Sequence, residues 1–204
     1  MKLSPKFKVC RRLGPFVLEQ CQTPRFEISA SRKGVKVRKH GSGRPSTYGL
    51  QLLEKQRVRV FYGVSERQLR VYVRRALAQK QVVPLNALLD QLERRLDNVV
   101  YRVGLAPTRR AARQMVSHGH ITVNGRKVTI PSYQITPGDV VSVRQGSRAR
   151  TLFSQIKENP PTTTPPAWLQ FDFTSLEGSV IGVPTPEVVD LPFQLGQVIE
   201  FYSR

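Results

Sequence analysis

Residues 108–128 read TRRAARQMVSHGHITVNGRKV, and this stretch decides the fold class. Thr108 can cap a helix, and a rotation of about 100° per residue separates the side chains that follow into two groups. The small and apolar residues fall on one side: Ala111, Ala112, Met115 and Val116. The basic and polar residues fall on the other: Arg109, Arg110, Arg113, Gln114 and Ser117. The stretch therefore predicts an amphipathic helix with a cluster of guanidinium groups opposite its core-facing side.

The second half of the stretch predicts a β-hairpin. Apolar and polar residues alternate around Asn124-Gly125, the strongest short signal for a hairpin turn. A second turn, at Pro137-Gly138-Asp139, leads into the strand-like run VVSVR. Upstream, leucines and valines form a helical stripe from about Leu85 until Gly104, which is placed to end a helix. We therefore expect residues 91–150 to form an α+β module of two helices packed on a small antiparallel sheet.

The charge of the chain indicates the kind of partner it has. It carries 33 Lys and Arg against 14 Asp and Glu, a formal net charge of +19. Such an excess opposes compaction and is most readily explained by a polyanion such as nucleic acid. No acid stands between Asp97 and Asp139 to neutralise the basic cluster, and arginines in a helix's first turn lie where the backbone already favours phosphate. A merely solvated surface is the weaker interpretation.

Other classes of site are disfavoured by the composition. The sequence has neither an apolar span of about 20 residues nor a secretory signal, so we expect no membrane partner. Cys10 and Cys21 are the only cysteines, too few for a disulfide framework, which favours a reducing, cytosol-like setting. A tetrahedral zinc site needs about four ligands, and only His40 lies nearby. We expect buried thiols, no bound metal and no cofactor.

The balance of charge divides the chain into regions. Residues 1–47 hold 12 Lys and Arg against 2 acids and lack an apolar period, so we interpret them as a basic, largely irregular arm that becomes ordered on its partner. Residues 151–204 hold 2 against 6 and include the runs VIGVP and QVIEFY, which are typical of strands. We expect this tail to pack on residues 48–90, completing one helical domain into which the module, residues 91–150, is inserted.

Residues 48–90 predict two helices, of which the second has the clearer signals. Ser65 can cap it, and Gln68 holds the reciprocal position of a capping box. Apolar residues then recur at helical spacing: Leu69, Tyr72, Val73, Ala76 and Leu77. Arginines occupy much of the remaining surface: Arg67, Arg70, Arg74 and Arg75. This helix therefore has an apolar side that can pack in a core and a basic side that is left for a different contact.

A resemblance to a known family rests on three segments. LERRLDNVVYRVGLAPTRRAARQMVSHGHITVNGRKVTIPSY, residues 92–133, closely resembles the RNA-binding module of the S4 family of small-subunit ribosomal proteins. That compact αL fold also occurs in tyrosyl-tRNA synthetases, pseudouridine synthases and a ribosome-rescue heat-shock protein. CRRLG at 10–14 and YGLQLLEKQRVRVFYGVSERQLR at 48–70 resemble the ribosomal members in particular.

The resemblance implies a structural constituent of the small ribosomal subunit. Such a protein is a primary binder of small-subunit ribosomal RNA, nucleates subunit assembly and contributes to translational accuracy. Its implied partners are that RNA, neighbouring small-subunit proteins and messenger RNA near the channel through which it enters. The implied location is a cytoplasmic ribosome, with an organellar ribosome as the alternative.

The resemblance also implies which residues contact RNA. Carried onto matching positions, the contacts in the module are Arg109, Arg113, Gln114, His118, His120, Asn124 and Lys127. In the helical region they are Tyr48, Lys55 and Arg57. The helical projection adds Arg110, and the basic arm adds Arg11, Arg12 and Arg44. Structured RNA is recognised mainly through its backbone and shape, so we expect phosphate contacts to dominate.

The chain departs from the family in one respect. Several ribosomal members carry four N-terminal cysteines that bind a metal, whereas this chain has no CxxC pair. We therefore expect RNA contacts, in place of a metal, to hold the arm.

An RNA-modifying or aminoacylating enzyme that uses the module as an accessory is the alternative function. His118 and His120 raise the question of acid–base chemistry, but catalysis needs a partner carboxylate or nucleophile in a pocket. The nearest downstream acid, Asp139, lies in a turn signal. A catalytic domain needs about 100 residues or more, which residues 151–204 do not supply. We expect a binding protein with no catalytic residue and no small-molecule substrate.

Overall fold

The structure, a computed structural model, describes residues 6–33, 46–161, 164–186, 189 and 191–203. The chain forms two compact units. The first unit comprises Met1–Leu88 and Leu191–Arg204, and the second comprises Leu89–Asp190. Arg44, one of the predicted RNA contacts, lies outside the described residues.

The described residues combine helices with one antiparallel sheet, as an α+β fold requires. The helices are α1 Lys6–Leu13, α2 Pro24–Lys33, α3 Thr47–Phe61, α4 Glu66–Ala78, α5 Pro84–Glu93, α6 Leu96–Arg102, α7 Arg109–Ser117, α8 Gln145–Arg148, α9 Thr151–Glu158 and α10 Leu195–Tyr202, with short 3₁₀ turns at Pro15–Val17 and Glu19–Cys21. The strands are β1 Ile121–Val123, β2 Arg126–Lys127, β3 Val140–Val143, β4 Leu169–Asp172 and β5 Glu177–Val180.

Side-chain caps fix the starts of the helices that carry the basic residues. The Ser65 hydroxyl accepts a hydrogen bond from the backbone N–H of Gln68 at 3.3 Å, and Thr108 accepts one from Ala111 at 3.1 Å. Each cap satisfies a backbone donor that the first turn of a helix leaves without a partner. Both predicted helix starts are confirmed.

The described part of the predicted arm, residues 6–33, is helical where an irregular segment was expected. Leu13, Val17 and Phe26 are buried in a small core together with Val60 of α3. Burial of these scattered apolar side chains supplies the free energy that a solvated arm would lack. The expectation of an irregular arm was wrong for these residues, because their partner is α3, which lies far away in sequence.

Cys10 and Cys21 lie in the same core and form a disulfide, where the sequence predicted two buried thiols. Their Cα atoms are 6.2 Å apart, a separation that a disulfide spans. The pairing follows from the packing of α1 against the 3₁₀ turn at Glu19–Cys21. Counting two cysteines could not reveal that the fold brings them together.

The end of the chain completes the first unit as a helix. The run QVIEFY, residues 197–202, lies in α10 and not in the expected strand. Leu195 and Val198 are buried, three residues apart on the side of α10 that packs on α3. Gln51 of α3 donates a hydrogen bond to Glu200 at 2.9 Å. A run of apolar residues is ambiguous between helix and strand, and here the packing partner decides.

The sheet lies in the second unit. Its strand order is β2-β1-β3-β5-β4, with every neighbouring pair antiparallel. The predicted hairpin is present: Val123 pairs with Arg126 across the turn, and β3 pairs with β1. One face of the sheet packs on α6 and α7 through a core that includes Leu96, Val100 and Ile121. The helix predicted to begin after Thr108 and the three strands expected for residues 91–150 are therefore found.

The single helix expected from Leu85 to Gly104 is instead two helices. The backbone is extended at Arg95, between α5 and α6, where it forms a β-bridge with Gln134. The N–H of Ile135 donates to the carbonyl of Arg94, and the N–H of Leu96 donates to that of Tyr133, both at 2.9 Å. Residues distant in sequence supply these bonds, so the leucine stripe could not predict the break.

The predicted division of the chain differs from the two units. The expected helical domain combined residues 48–90 with 151–204, but residues 151–190 belong to the second unit. Strand β5 pairs with β3 and extends the sheet, and Trp168 and Leu176 are buried in the same core. Only the part of the tail from Leu191 onwards joins α3. The open edge of β3 and the apolar residues of the tail explain this arrangement.

We propose that residues 89–190 are an independent folding domain. Expressed alone, this segment is expected to unfold cooperatively by circular dichroism. A segment of residues 91–150, which lacks β4 and β5, is expected to be less stable because β3 loses one of its two partner strands and the core loses Trp168 and Leu176. Equal melting temperatures for the two segments would contradict this boundary.

Candidate nucleic-acid interface

Helix α7 presents a polar surface above a buried apolar side. Ala112 and Val116 are fully buried and Met115 is 6% exposed, as the helical projection predicted. Arg110, Gln114 and His118 are exposed. These three residues follow one another at intervals of four, so they lie along one line of the helix surface. The predicted residues of this line are therefore available to a partner.

Arg109 differs from the projection, which placed it on the outward basic side. It is only 9% exposed, and its guanidinium carbon lies 4.2 Å from the centre of the Tyr101 ring. Its Nε donates a hydrogen bond to Oδ1 of Asn98 at 3.0 Å. A guanidinium stacked on an aromatic ring and bonded to an amide is fixed in position. The packing of α6 beside the first turn of α7 explains this placement.

The Arg109 contact belongs to a buried polar network. Glu93 is fully buried, and Arg102 donates two hydrogen bonds to its carboxylate, at 3.0 and 2.8 Å. The side-chain amide of Asn98 donates to the same carboxylate at 2.9 Å. Asn98 thus accepts from Arg109 and donates to Glu93. The network joins the end of α5, helix α6 and the start of α7.

The carboxylate of Asp97 contacts two further arginines. It accepts two hydrogen bonds from the fully buried Arg95, at 3.0 and 2.6 Å. A nitrogen of Arg113 lies 3.9 Å from the same carboxylate, and 42% of the Arg113 side chain is exposed. Asp97 therefore compensates part of the positive charge of the acid-free interval that follows it in sequence. Arg113 lies at the edge of the exposed surface.

Asn124 forms the hairpin turn. Its φ is 49°, and its side chain donates to Asp139 at 2.7 Å and accepts from the N–H of Val140 at 2.8 Å. Burial opposes ionisation of Asp139, but hydrogen bonds from Thr136 and Asn124 lower the pKa of that carboxyl below its usual value. The side chain of Asn124 therefore links the hairpin turn at Asn124-Gly125 to the turn at Pro137-Gly138-Asp139.

A group of basic side chains surrounds His120. This His120 cluster consists of His118, His120, Lys127, Arg144 and Arg150. Burial lowers the pKa of His120, and the nearby charges of Arg150, His118, Arg144 and Lys127 lower it further. His120 is held by Ser147, whose Oγ lies 3.0 Å from Nδ1, and by the ring of Phe153. The cluster concentrates positive charge beside β1 and β2.

Gly119 permits Lys127 to reach the cluster. Its φ is +70°, and a Cβ at this position would overlap the Lys127 side chain. The backbone conformation at the end of α7 therefore favours glycine, and a larger residue would displace the flexible end of the Lys127 side chain. The sequence predicted a helix stop here but not the approach of Lys127.

Arg144 and Arg150 were missed by sequence reasoning. They stand on either side of the four-residue helix α8, and the backbone N–H of Arg144 donates a hydrogen bond to the carbonyl of His120 at 2.8 Å. Nε of Arg144 is shielded from water without a hydrogen-bond partner among the described residues. The sequence signal that could have identified these two arginines is the absence of any acid between Asp139 and Glu158. Arg148, by contrast, is paired with Glu177 at 2.7 Å.

The predicted contacts in the first unit are engaged internally. Lys55 is 7% exposed, pairs with Glu66 at 2.8 Å and lies 4.4 Å from the centre of the Phe201 ring. Arg57 donates to the carbonyl of Leu13 at 2.8 Å and pairs with Glu54. The predictions placed Lys55 and Arg57 at an RNA surface, whereas the structure places them in contacts that hold α3 to its neighbours.

Glu66 is the acceptor at the centre of these contacts. Burial opposes its ionisation, yet hydrogen bonds from Lys55, Tyr202 and Arg59 lower its pKa to about 2. Burial and the hydrogen bond to Glu66 raise the pKa of Tyr202. The carboxylate is therefore ionised at neutral pH and its charge is used within the unit.

The remaining predicted positions of the first unit are accessible. Arg11 and Arg12 are exposed in the last turn of α1. Tyr48 is 52% exposed, with its ring centre 5.6 Å from that of Phe201. Within the described residues, no group of three or more His, Cys, Asp or Glu side chains is arranged to hold a metal ion. No helix in the described part of the chain is long and apolar enough to cross a membrane.

Comparisons with known proteins bear on the whole chain. Residues 94–141 match the model of the S4 domain, and residues 2–93 match that of the ribosomal protein S4/S9 N-terminal domain. Small ribosomal subunit protein uS4 of Pelotomaculum thermopropionicum is 43% identical over 202 residues, which cover 97% of this chain and 96% of the relative. The uS4 protein of Halothermothrix orenii is 44% identical over 205 residues, with 98% and 97% covered. That of Syntrophomonas wolfei is 43% identical over 201 residues, with 96% and 95% covered.

Replacing Glu93 tests the buried network. Glu93→Gln is expected to lower the free energy of unfolding by about 2 to 3 kcal/mol, because Arg102 loses its charged partner in a buried site. The fluorescence of Trp168, the only tryptophan and 4% exposed in the second unit, reports unfolding in urea. Glu158→Gln, at an exposed position of α9, is the control and should change stability by less than about 0.5 kcal/mol. Equal effects of the two substitutions would refute a stabilising network.

Proposed function

We propose that the chain, which belongs to the uS4 family of small ribosomal subunit proteins, is a structural component of that subunit and binds its ribosomal RNA. The observation that carries the proposal is the His120 cluster. Of the described residues, no carboxylate pairs with Lys127, Arg144 or Arg150, although the same unit uses Glu93 and Asp97 to compensate other arginines. Cations without counterions on a folded surface favour a polyanionic partner.

The proposed mechanism is binding without chemistry. Phosphate groups of folded RNA would lie against the His120 cluster and displace the counterions that surround both partners. Burial and the surrounding cations lower the pKa of His120, and a nearby phosphate would raise that pKa and favour protonation. Because α7 and the sheet are already fixed, little conformational entropy is lost on binding.

The proposed contact residues fall into two groups, those with accessible side chains and those with internal partners, and we propose a different role for each. Those with accessible side chains are proposed to touch RNA directly: Arg11, Arg12, Tyr48, Arg110, Arg113, Gln114, His118, His120 and Lys127, together with Arg144 and Arg150. Those with internal partners are proposed to position the surface: Lys55, Arg57, Arg109 and Asn124. This division changes which substitutions measure RNA contact. Neutralising Arg109 would mainly disturb α7.

The proposal includes finer roles that family membership supports. We propose early binding to small-subunit ribosomal RNA during assembly, contact with neighbouring small-subunit proteins and with entering messenger RNA, and an influence on translational accuracy. The proposed location is the ribosome of the cytoplasm, and an organellar ribosome would use the same surfaces. Cosedimentation of the tagged chain with small subunits from cell lysate tests the location.

Family membership also answers the enzyme alternative, since uS4 proteins are structural components of the ribosome. His120 contacts a hydroxyl and an aromatic ring, and no carboxylate in the described part of the chain bonds to it. The acid–base arrangement that catalysis needs is therefore not formed there.

A double substitution tests the His120 cluster. Lys127→Gln with Arg150→Gln is expected to weaken binding to a transcribed bacterial small-subunit ribosomal RNA about tenfold at roughly physiological salt. The log–log dependence of affinity on salt should fall by about two, one for each lost phosphate contact. Filter binding across a potassium chloride series measures both quantities.

The control carries the same change in net charge elsewhere. Lys157→Gln with Gln170→Glu lowers the net charge by two, through the loss of one positive charge and the gain of one negative charge at exposed positions of α9 and β4. If this control weakens binding as much as the cluster variant does, overall charge and not the cluster explains the affinity.

A further inference from the structure

The disulfide between Cys10 and Cys21 lies in the interior of the segment that opens the first unit. Each cysteine is 1% exposed, and their Cα atoms are 6.2 Å apart. Cys10 stands in α1, and Cys21 ends the 3₁₀ turn at Glu19–Cys21. The bond therefore joins α1 covalently to the second of the two turns that follow it.

The core around the disulfide is small. Among the described residues, seven buried side chains form it: Cys10, Leu13, Val17, Leu18, Cys21, Phe26 and Val60. Six of the seven lie within residues 10–26, and two of those six are the cysteines. A segment of this size buries little apolar surface, and chains shorter than about 40 residues usually need a disulfide, a metal ion or a partner to stay folded. The cross-link is therefore expected to supply much of the stability of residues 6–33.

Contacts with α3 attach the segment to the rest of the unit. Val60 of α3 is buried in the same core, and Arg57 donates a hydrogen bond to the carbonyl of Leu13 at 2.8 Å. These contacts hold the segment against α3 but leave the arrangement of α1 relative to the 3₁₀ turns to residues 10–26 themselves. The disulfide acts on that internal arrangement.

The cross-link also determines which way α1 faces. Cys10 is buried, whereas Arg11 and Arg12, the next two residues, are exposed. The N–H of Gly14 donates to the carbonyl of Cys10 at 2.8 Å and closes the last turn of the helix. Because successive residues of a helix are rotated by about 100°, a fixed Cys10 fixes the directions of both guanidinium groups. These two arginines are among the proposed RNA contacts.

Reduction changes the frequency of opening more than the folded arrangement. Two thiols in the same positions would still fill the core, because cysteine packs as a small apolar residue. Reduction removes the covalent closure between residues 11 apart in sequence, which restricts the conformations of the opened segment. The reduced segment therefore keeps its fold but opens more often.

The state of the bond depends on the thiols around the protein. At the proposed cytoplasmic location, small thiols keep most cysteines reduced, and the disulfides found there are commonly transient or redox-sensing. Because both sulfur atoms are buried, a reductant reaches them only when the segment opens. The redox state of the pair is therefore set mainly before the segment is held in place by a partner.

The exchange with a small dithiol is balanced in two steps. A thiolate of the dithiol attacks one sulfur, so that the Cys10–Cys21 bond breaks, a mixed disulfide forms and the other cysteine leaves as a thiolate that takes up a proton. The second thiolate of the dithiol then attacks the mixed disulfide and releases the remaining cysteine, which is protonated in turn. The dithiol is oxidised by two electrons to its own disulfide, and the two cysteines are reduced by the same two electrons.

We infer that Cys10 and Cys21 form a redox-sensitive cross-link that controls how firmly α1, and with it Arg11 and Arg12, is held in the first unit. The oxidised pair keeps the two arginines in one orientation, and the reduced pair allows the segment to open. The inference goes beyond the proposed function, and only its consequence for RNA affinity rests on that function.

Hydrogen–deuterium exchange of the full chain tests the cross-link. Chain oxidised with glutathione disulfide is compared with chain reduced by dithiothreitol, and labelling with N-ethylmaleimide in urea verifies that the first has no reactive thiol and the second has both. Amides of residues 10–26 are expected to exchange about 10- to 100-fold faster in the reduced chain. Amides of β1 and β3 should not change, because Cys10 and Cys21 are the only cysteines in the sequence.

The matched variant is Cys10→Ala with Cys21→Ala, whose exchange should be the same with and without dithiothreitol. The main comparison uses two states of the unsubstituted chain, so it does not depend on how well the variant folds. Equal exchange of residues 10–26 in the oxidised and reduced chains would refute the inference. Two reactive thiols after treatment with glutathione disulfide would refute it as well.

Binding to transcribed bacterial small-subunit ribosomal RNA gives the functional outcome. The oxidised chain is expected to bind about three- to tenfold more tightly, because less conformational entropy is lost when α1 is already held. Arg11→Gln with Arg12→Gln should remove this difference between the two states. Equal affinities with different exchange would refute redox control of RNA binding and leave the proposed function standing. If neither state binds the RNA, the proposed function fails, while the exchange result still decides on the cross-link.

Discussion

The arrangement of the second unit depends on the burial of Glu93. A carboxylate without exposure to water is unfavourable unless charged donors surround it, and Arg102 and Asn98 supply three hydrogen bonds to its oxygens. Asn98 also accepts a hydrogen bond from Arg109, so the same network holds Arg109 in place. Because Arg109 stands in the first turn of α7, the network also fixes the start of that helix. The line of Arg110, Gln114 and His118 therefore has a defined orientation because Glu93, at the end of the helix two before α7, is buried and paired.

Two populations of basic residues result from this use of the acids. The chain has 33 Lys and Arg against 14 Asp and Glu, and the carboxylates of Glu54, Glu66, Glu93 and Asp97 bind basic groups inside the units. Among the described residues, the cations without an ion pair include Lys127, Arg144 and Arg150 around His120. Internal pairs supply the structure, while the uncompensated charges supply the attraction for a polyanion. Net charge alone could not show which arginines serve which purpose.

The sequence predicted what local signals determine. Thr108, the apolar residues of α7 and Asn124-Gly125 were sufficient for the helix, the hairpin and the exposed basic line. Contacts between distant residues were not predictable in the same way. The bonds of residues 133–135 with residues 94–96 divide one expected helix, β5 joins β3, and QVIEFY becomes a helix because it packs on α3. Arg109 and Lys55 appeared to be free cations because their partners, Asn98 with Tyr101 and Glu66 with Phe201, are brought near only by folding.

We propose that the cations without internal partners are the ones that contact ribosomal RNA. Crosslinking small subunits that contain this chain with ultraviolet light, followed by mass spectrometry of the attached peptides, measures this directly. Crosslinked nucleotides are expected on peptides that contain Lys127, Arg144 or Arg150. Crosslinks confined to residues 164–186, or absence of the chain from purified small subunits, would contradict it.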